Sequence, residues 1–195
     1  MLHNLEHSVG LSKYAGPGAW NDPDMLEVGN GGMNHEQYQT HFSFWAALKA
    51  PLIIGCSLKN ISNATLSILG NEELIAINQD PLGVQADLIE RKAHEVGFEE
   101  IWGGDLSNNR YVIICFNRAE TSTVFHIPFS RPEFRGMKVT KIRDVVEHKD
   151  ITIPTTSYFQ TKIVKRHAVA NYVFTLAPKG EEHLSEEWWR YIYEP

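Results

Sequence analysis

The chain reads as an α/β layer followed by an antiparallel β-sandwich. Three observations predict this. Up to Asn78, helical spacings flank one short, wholly apolar run. From Glu99 onward, β-rich runs recur between polar turns. Between the two lies Asp80-Pro81-Leu82-Gly83, a breaker that places the boundary at about residue 82. The division is then 1–82, 83–178 and a tail of 179–195.

The N-terminal dozen residues are mildly helical. Trp20 to Met25 follows the breaker Ala15-Gly16-Pro17-Gly18 and reads as a short strand end running into a loop. Asn34, with Gln37 three residues on, forms a helix N-cap pattern. The helix should run to about Lys49, before Pro51. Tyr38, His41, Phe42, Trp45 and Leu48 fall at spacings of three and four, which puts them on one buried face. His41 on that face reads as a hydrogen-bonded core histidine. Leu52 to Gly55 is apolar without alternation, as a buried parallel strand is. Leu66–Leu69 and Glu72–Asn78 are helical, separated by Gly70-Asn71. In the second part, Glu99–Trp102, Arg110–Asn117, Thr123–Pro128, Lys138–Asp144 and Asn171–Leu176 read as strands. Gly103-Gly104-Asp105 and Ser107-Asn108-Asn109 read as turns between them. The tail, with Trp188-Trp189, Tyr191 and Tyr193, reads as a docking helix or a loose extension.

Composition narrows the function classes. The 195 residues are 43% hydrophobic and 22% charged, ordinary for a globular chain with a real core. The net charge of −6, without a basic cluster, argues against nucleic acid and against an anionic membrane. No apolar run is long enough for a transmembrane helix, and the segment after Met1 has no signal-peptide pattern. Cys56 and Cys115 each sit in an apolar run and read as buried free thiols rather than a disulfide. The sequons at Asn60 and Asn63 are weak support for a secreted protein. His3 and His7 share a helix face, but no third ligand is placed nearby, so a metal site is not expected. No phosphate loop, dinucleotide fingerprint or Gly-x-Ser-x-Gly elbow occurs, and no cofactor is expected.

The chemistry-bearing segment is Trp20-Asn21-Asp22-Pro23-Asp24-Met25. Two carboxylates at i and i+2 can share one side of a strand, at a spacing of about 6.5 Å between Cα atoms. Acid and nucleophile pairs of glycosidases lie in that range. Asn, Asp and Pro are also turn-formers, and the local residues favour a turn.

Ala15-Gly16-Pro17-Gly18-Ala19-Trp20-Asn21-Asp22-Pro23-Asp24-Met25-Leu26-Glu27-Val28-Gly29-Asn30-Gly31-Gly32-Met33 resembles the signature block of α-galactosidases of glycoside hydrolase family 27. His41-Phe42-Ser43-Phe44-Trp45-Ala46 resembles the helix that follows. Lys49 to Gly55 resembles the eighth barrel strand and its approach, and Ile75 to Gly83 the last helix and its exit. Asp144 to His148 and Tyr172 to Leu176 echo the C-terminal domain, so the resemblance runs from about Val9 to Pro178.

The resemblance implies the C-terminal part of a (β/α)8 TIM barrel, incomplete, followed by an antiparallel β-sandwich domain. A whole barrel needs about 250 residues. It implies retaining hydrolysis of terminal α-linked galactose by two aspartates, both upstream of the Ala-Gly-Pro-Gly block. No counterpart of either precedes Ala15, so no catalytic residue is expected in this chain, which should be an inactive fragment by itself. Asp24 is implied as an acceptor for substrate hydroxyls, with Met25 in the pocket wall and Trp20, at the barrel mouth, as a further candidate for substrate binding. The implied partner is a galactosyl carbohydrate, and the implied location secreted, vacuolar or lysosomal. Two alternatives stay open: α-N-acetylgalactosaminidase activity, and a non-catalytic β-domain that binds carbohydrate or a partner. The Leu26–Met33 run favours the plain galactosidase. Oligomeric state is left open.

Overall fold

The computed structural model describes residues 1–179. The aromatic tail with Trp188 and Trp189 therefore lies outside the described residues.

Helix α1 spans Leu2–His7. Helix α2, His35–Ala47, starts where the cap pattern puts it. The Asn34 side chain accepts from the Gln37 N–H, and the Gln37 side chain accepts from the Asn34 N–H. It ends two residues before Lys49, which takes the left-handed φ of 61°. Every residue from Thr40 to Ala47 is buried, not one face only. The reason is tertiary: α2 is clasped between the rest of the α/β part and the β-sheet. Phe44 packs edge-on to Trp102 and Phe116 at 5.3 and 5.2 Å between centroids. Asn171 Nδ2 donates to Ser43 Oγ at 2.6 Å.

Helices α3 (Asn63–Leu69) and α4 (Glu72–Asn78) follow. Asn71 caps α4, its Oδ1 accepting from the Glu73 and Leu74 N–H groups, while its Nδ2 donates to the Val145 carbonyl. One side chain thus starts a helix and ties it to the other part of the molecule.

The expected strand Leu52–Gly55 is corrected. Only Ile54 pairs, in a single parallel bridge with Leu26, and Ile53 is 75% exposed. A parallel strand is held by neighbours on both sides, and here a second neighbour is missing among the described residues. Trp20–Met25 likewise forms no strand, since pairing starts at Leu26.

The sheet holds β1 (Asp87–Ala93), β2 (Phe98–Leu106), β3 (Arg110–Asn117), β5 (Lys138–Asp144), β6 (Lys149–Ile151) and β8 (Val169–Ala177). It is antiparallel throughout, in the order β1-β2-β3-β8-β5-β6. Strands β4 (His126–Pro128) and β7 (Tyr158–Gln160) form a separate ribbon. The period of two explains two cores. From β3, Val112, Ile114 and Phe116 face α2, while Tyr111, Ile113 and Cys115 join the second core, with Ile127 and Phe159 of the ribbon.

Strands β3 and β5 match the sequence reading residue for residue. Strands β1, β6 and β7 lack an apolar alternation and were not expected from the sequence. Of Thr123–Pro128, only His126–Pro128 is strand, with Thr123 in a lone bridge to Val164. Gly103-Gly104-Asp105 is not a turn but the middle of β2. These glycines answer a crowding need. A Cβ on Gly103 would stand 2.6 Å from the Ile89 and Tyr111 side chains, and one on Gly104 3.0 Å from the Ala86 backbone. Both cysteines are free, but Cys56 is only half-buried, at the edge of the incomplete layer.

Candidate functional site

Asp24 lies two residues before the Leu26 bridge. Its φ of 82° is a conformation that L-residues rarely adopt. Three contacts impose it. The Asp24 N–H donates to Asp22 Oδ1 at 2.9 Å, and the Trp45 indole N–H donates to the Asp24 carbonyl at 2.8 Å. From α1, Asn4 Nδ2 donates to the Pro23 carbonyl at 2.9 Å and reaches Asp24 Oδ2 at 3.4 Å. The carboxylate remains exposed, with Oδ1 accepting from the Met25 N–H at 2.8 Å. Strain of this kind persists only where surroundings over-determine it, and such places are commonly functional.

The support behind the loop is α2. His41 is fully buried, stacks on Trp45 at 3.9 Å and accepts the Glu27 N–H on Nε2 at 2.8 Å. Burial pushes its pKa down to about 4, so the ring is neutral and able to accept. Asn21 fixes the loop's other end, donating to the Leu11 carbonyl and to Gln85 Oε1, each at 2.9 Å.

This arrangement gives the two aspartates different work. Asp22 uses a carboxylate oxygen to hold the Asp24 backbone; Asp24 offers its own to solvent. Both line a groove of about 400 Å³ together with His3, Asn4 and Gln85. Met25 is exposed beside them, next to Gly55. Trp20 lies elsewhere, its ring over Gly83 beside a second hollow of about 460 Å³ that includes Lys49 and Asp80. The structure therefore groups Asp24 with Asp22 and Met25, and sets Trp20 at the junction with the sheet. Asn4, Trp45 and Gln85, which build the site, lie 20, 21 and 61 residues from Asp24 (24 − 4, 45 − 24, 85 − 24). No local pattern marks them.

Two junctions join the parts. Asp80 accepts from the Ser107 N–H and hydroxyl and from Arg110 at 2.8–2.9 Å. Glu6 of α1 pairs with Arg91 at 2.7 Å and Arg118 at 2.9 Å, and both arginines reach the fully buried Glu100. His3 and His7 stack within α1 at 4.2 Å.

An α/β part that presents a strained carboxylate beside its parallel bridge, joined to an antiparallel sandwich, fits the class of barrel-plus-sandwich glycoside hydrolases. Residues 3–80 match the family described as α-galactosidase A, and residues 97–174 match the α-galactosidase C-terminal β-sandwich domain. The chain belongs to the α-galactosidase family, glycoside hydrolase family 27. It is 44% identical to α-galactosidase 3 of Arabidopsis thaliana over 83% of its own length and 37% of that protein's. It is 47% identical to an α-galactosidase of Oryza sativa, over 76% of its length and 34% of the relative's. α-Galactosidase I from Mortierella vinacea superposes with a TM-score of 0.78 at 33% identity, covering 88% of this chain and 44% of that one. The chain thus spans well under half of each of these relatives. Its α/β part is the closing portion of a barrel.

Proposed function

We propose that this chain is the C-terminal part of a retaining α-galactosidase, and that it contributes Asp24 as the acceptor of hydroxyls on a terminal α-D-galactosyl residue. The observation that carries the reading is the Asp24 backbone. It is held at positive φ by Asp22 and Trp45 while its carboxylate stays exposed. A fixed carboxylate makes charge-assisted hydrogen bonds to sugar hydroxyls and so distinguishes epimers. Met25 supplies apolar wall beside it. Trp20, at the domain junction, shapes the barrel mouth.

The chain by itself does not turn over substrate in this reading. Asp22 is committed to the loop, its Oδ1 accepting from the Asp24 N–H at 2.9 Å. Nucleophile and acid belong to the part of the barrel that this chain does not contain. In this reading the substrate is galactosyl and the setting is secreted, vacuolar or lysosomal. The test is hydrolysis of a chromogenic α-galactoside by the purified chain. Blank-level rates are expected, and turnover above blank that disappears in Asp24→Ala and is absent from a mock purification would overturn the division of labour.

A further inference from the structure

The sequons Asn60-Ile61-Ser62 and Asn63-Ala64-Thr65 are the only two in the sequence. The fold treats them differently. Asn60 is exposed in the turn before α3, at a left-handed φ of 62°. Ile61 and Ser62 continue as non-helical chain, with Ser62 at a ψ of 150°. Asn63, by contrast, is the first residue of α3, and Ala64 and Thr65 follow it in the helix. The Ser62 hydroxyl closes that first turn, accepting from the Thr65 N–H at 3.0 Å and meeting Thr65 Oγ1 at 2.9 Å. The Thr65 methyl packs on the loop before α2, so closely that a Cβ on Gly29 would stand 2.8 Å from it.

A sequon works by bringing the hydroxyl of its third residue to the carboxamide of its first. Residues two apart on a helix do not face each other. Asn63 and Thr65 therefore cannot meet while α3 is formed, whereas Asn60 and Ser62 carry no such bar. Asn60 also leaves the ribosome first, so its triplet is offered earlier and stays open later. Asparagine suits left-handed backbone for its own sake, and Asn108 and Asn109 adopt it too. Neither of those has a hydroxyl residue two positions on. The surroundings suit a bulky hydrophilic group. Leu58, before the sequons, is 64% exposed, and Leu66, after them, 54%. A glycan beside them opposes association through apolar surface.

We propose that Asn60 is the attachment site of an N-linked oligosaccharide and that Asn63 is not. In the transfer, Asn60 Nδ2 attacks C1 of an oligosaccharide carried on a lipid pyrophosphate. The Nδ2–C1 bond forms. The bond from C1 to the pyrophosphate oxygen breaks, and the pyrophosphate leaves with the electron pair. One amide proton passes to a base of the transferase. The proposal rests on the secreted, vacuolar or lysosomal setting of the reading above, and is independent of galactoside chemistry.

The test secretes the chain from insect cells behind a cleavable leader, which supplies the route whatever the chain's own destination. Peptide-N-glycosidase in heavy-oxygen water then converts each occupied asparagine to labelled aspartate, read by peptide mass spectrometry. Label at Asn60 and none at Asn63 is expected. Asn60→Asp keeps a residue that tolerates left-handed φ and should abolish the glycan mass of the secreted chain. Asn63→Gln should leave that mass whole. Three results would overturn the proposal: a secreted chain without glycan, label at Asn63, or glycan mass that survives Asn60→Asp. The setting is tested separately by fractionating cells that make the chain naturally. A cytosolic chain there refutes the setting, while label at Asn60 behind the leader still upholds the site.

Discussion

Replacing Asp80 by alanine should uncouple the α/β part from the sheet. The carboxylate accepts four hydrogen bonds, from Leu82 N–H at 3.1 Å, Ser107 N–H at 2.9 Å, Ser107 Oγ at 2.8 Å and Arg110 at 2.8 Å. Its side chain is 1% exposed, whereas Arg110 is 34% exposed. Water can therefore recover Arg110 after truncation, and the Ser107 hydroxyl can turn to other partners. The two backbone N–H groups cannot move, and each loses an acceptor at about 1 kcal/mol. Adding about 1.5 kcal/mol for the charge-assisted bond gives a loss of roughly 3.5 kcal/mol. Asp80→Asn keeps one acceptor oxygen and should cost about half as much. Urea unfolding of the chain measures both. Burial raises the Asp80 carboxyl pKa, but the bonds from Ser107 and Leu82, with the charge of Lys49, outweigh it and leave it lowered. Because the folded value is the lower one, the contribution is complete above the unfolded Asp value of about 3.9 and disappears as pH falls through the folded value. Asp80→Ala should remove that acid-side dependence. It should also push Lys49 further below its value of about 8, since burial holds it there against attraction by Asp80. A stability within about 0.5 kcal/mol of wild type, well below the loss derived from the unpaired amides, would refute this account of the junction.

Three further outcomes are expected. His41 is held neutral by burial, with a pKa near 4 against 6.5 unfolded. Stability should fall as pH drops from about 6.5 to 4, by up to about 3 kcal/mol, and His41→Gln should flatten that slope in pH-dependent unfolding. Asp24→Gly should raise stability by about 0.5 kcal/mol in thermal melts, because relief of the left-handed strain exceeds the added chain entropy. A destabilised Asp24→Gly would mean that the bonds of the carboxylate outweigh the strain. Gly104→Val should cost about 1–3 kcal/mol in urea unfolding, since its Cβ meets the Ala86 backbone, which cannot move aside as a side chain would. Wild-type stability there would show that β1 and β2 can separate at no cost.

Much of the molecule was legible from local text. The Asn34–Gln37 box sets the start of α2, and the β-prone runs of β3 and β5 between polar turns fix them residue for residue. These elements are determined by interactions within a few residues or by one repeating period. The signature block around Asp24 named the family and the carboxylate together.

Other features depend on groups far apart in the chain. Gly103-Gly104 looks like a turn and is a strand, because only the folded sheet brings Ile89, Tyr111 and Ala86 against it. Leu52–Gly55 looks like a buried strand and stays open, because a strand is made by its neighbours as much as by its side chains. The sequence by itself determined the family, the two parts and the residue that meets substrate in the proposed function. Tertiary structure alone decided that Asp22 holds Asp24 while Trp45 and Asn4 clamp it. Those relations are set by distance in space, and spacing along the chain does not encode them.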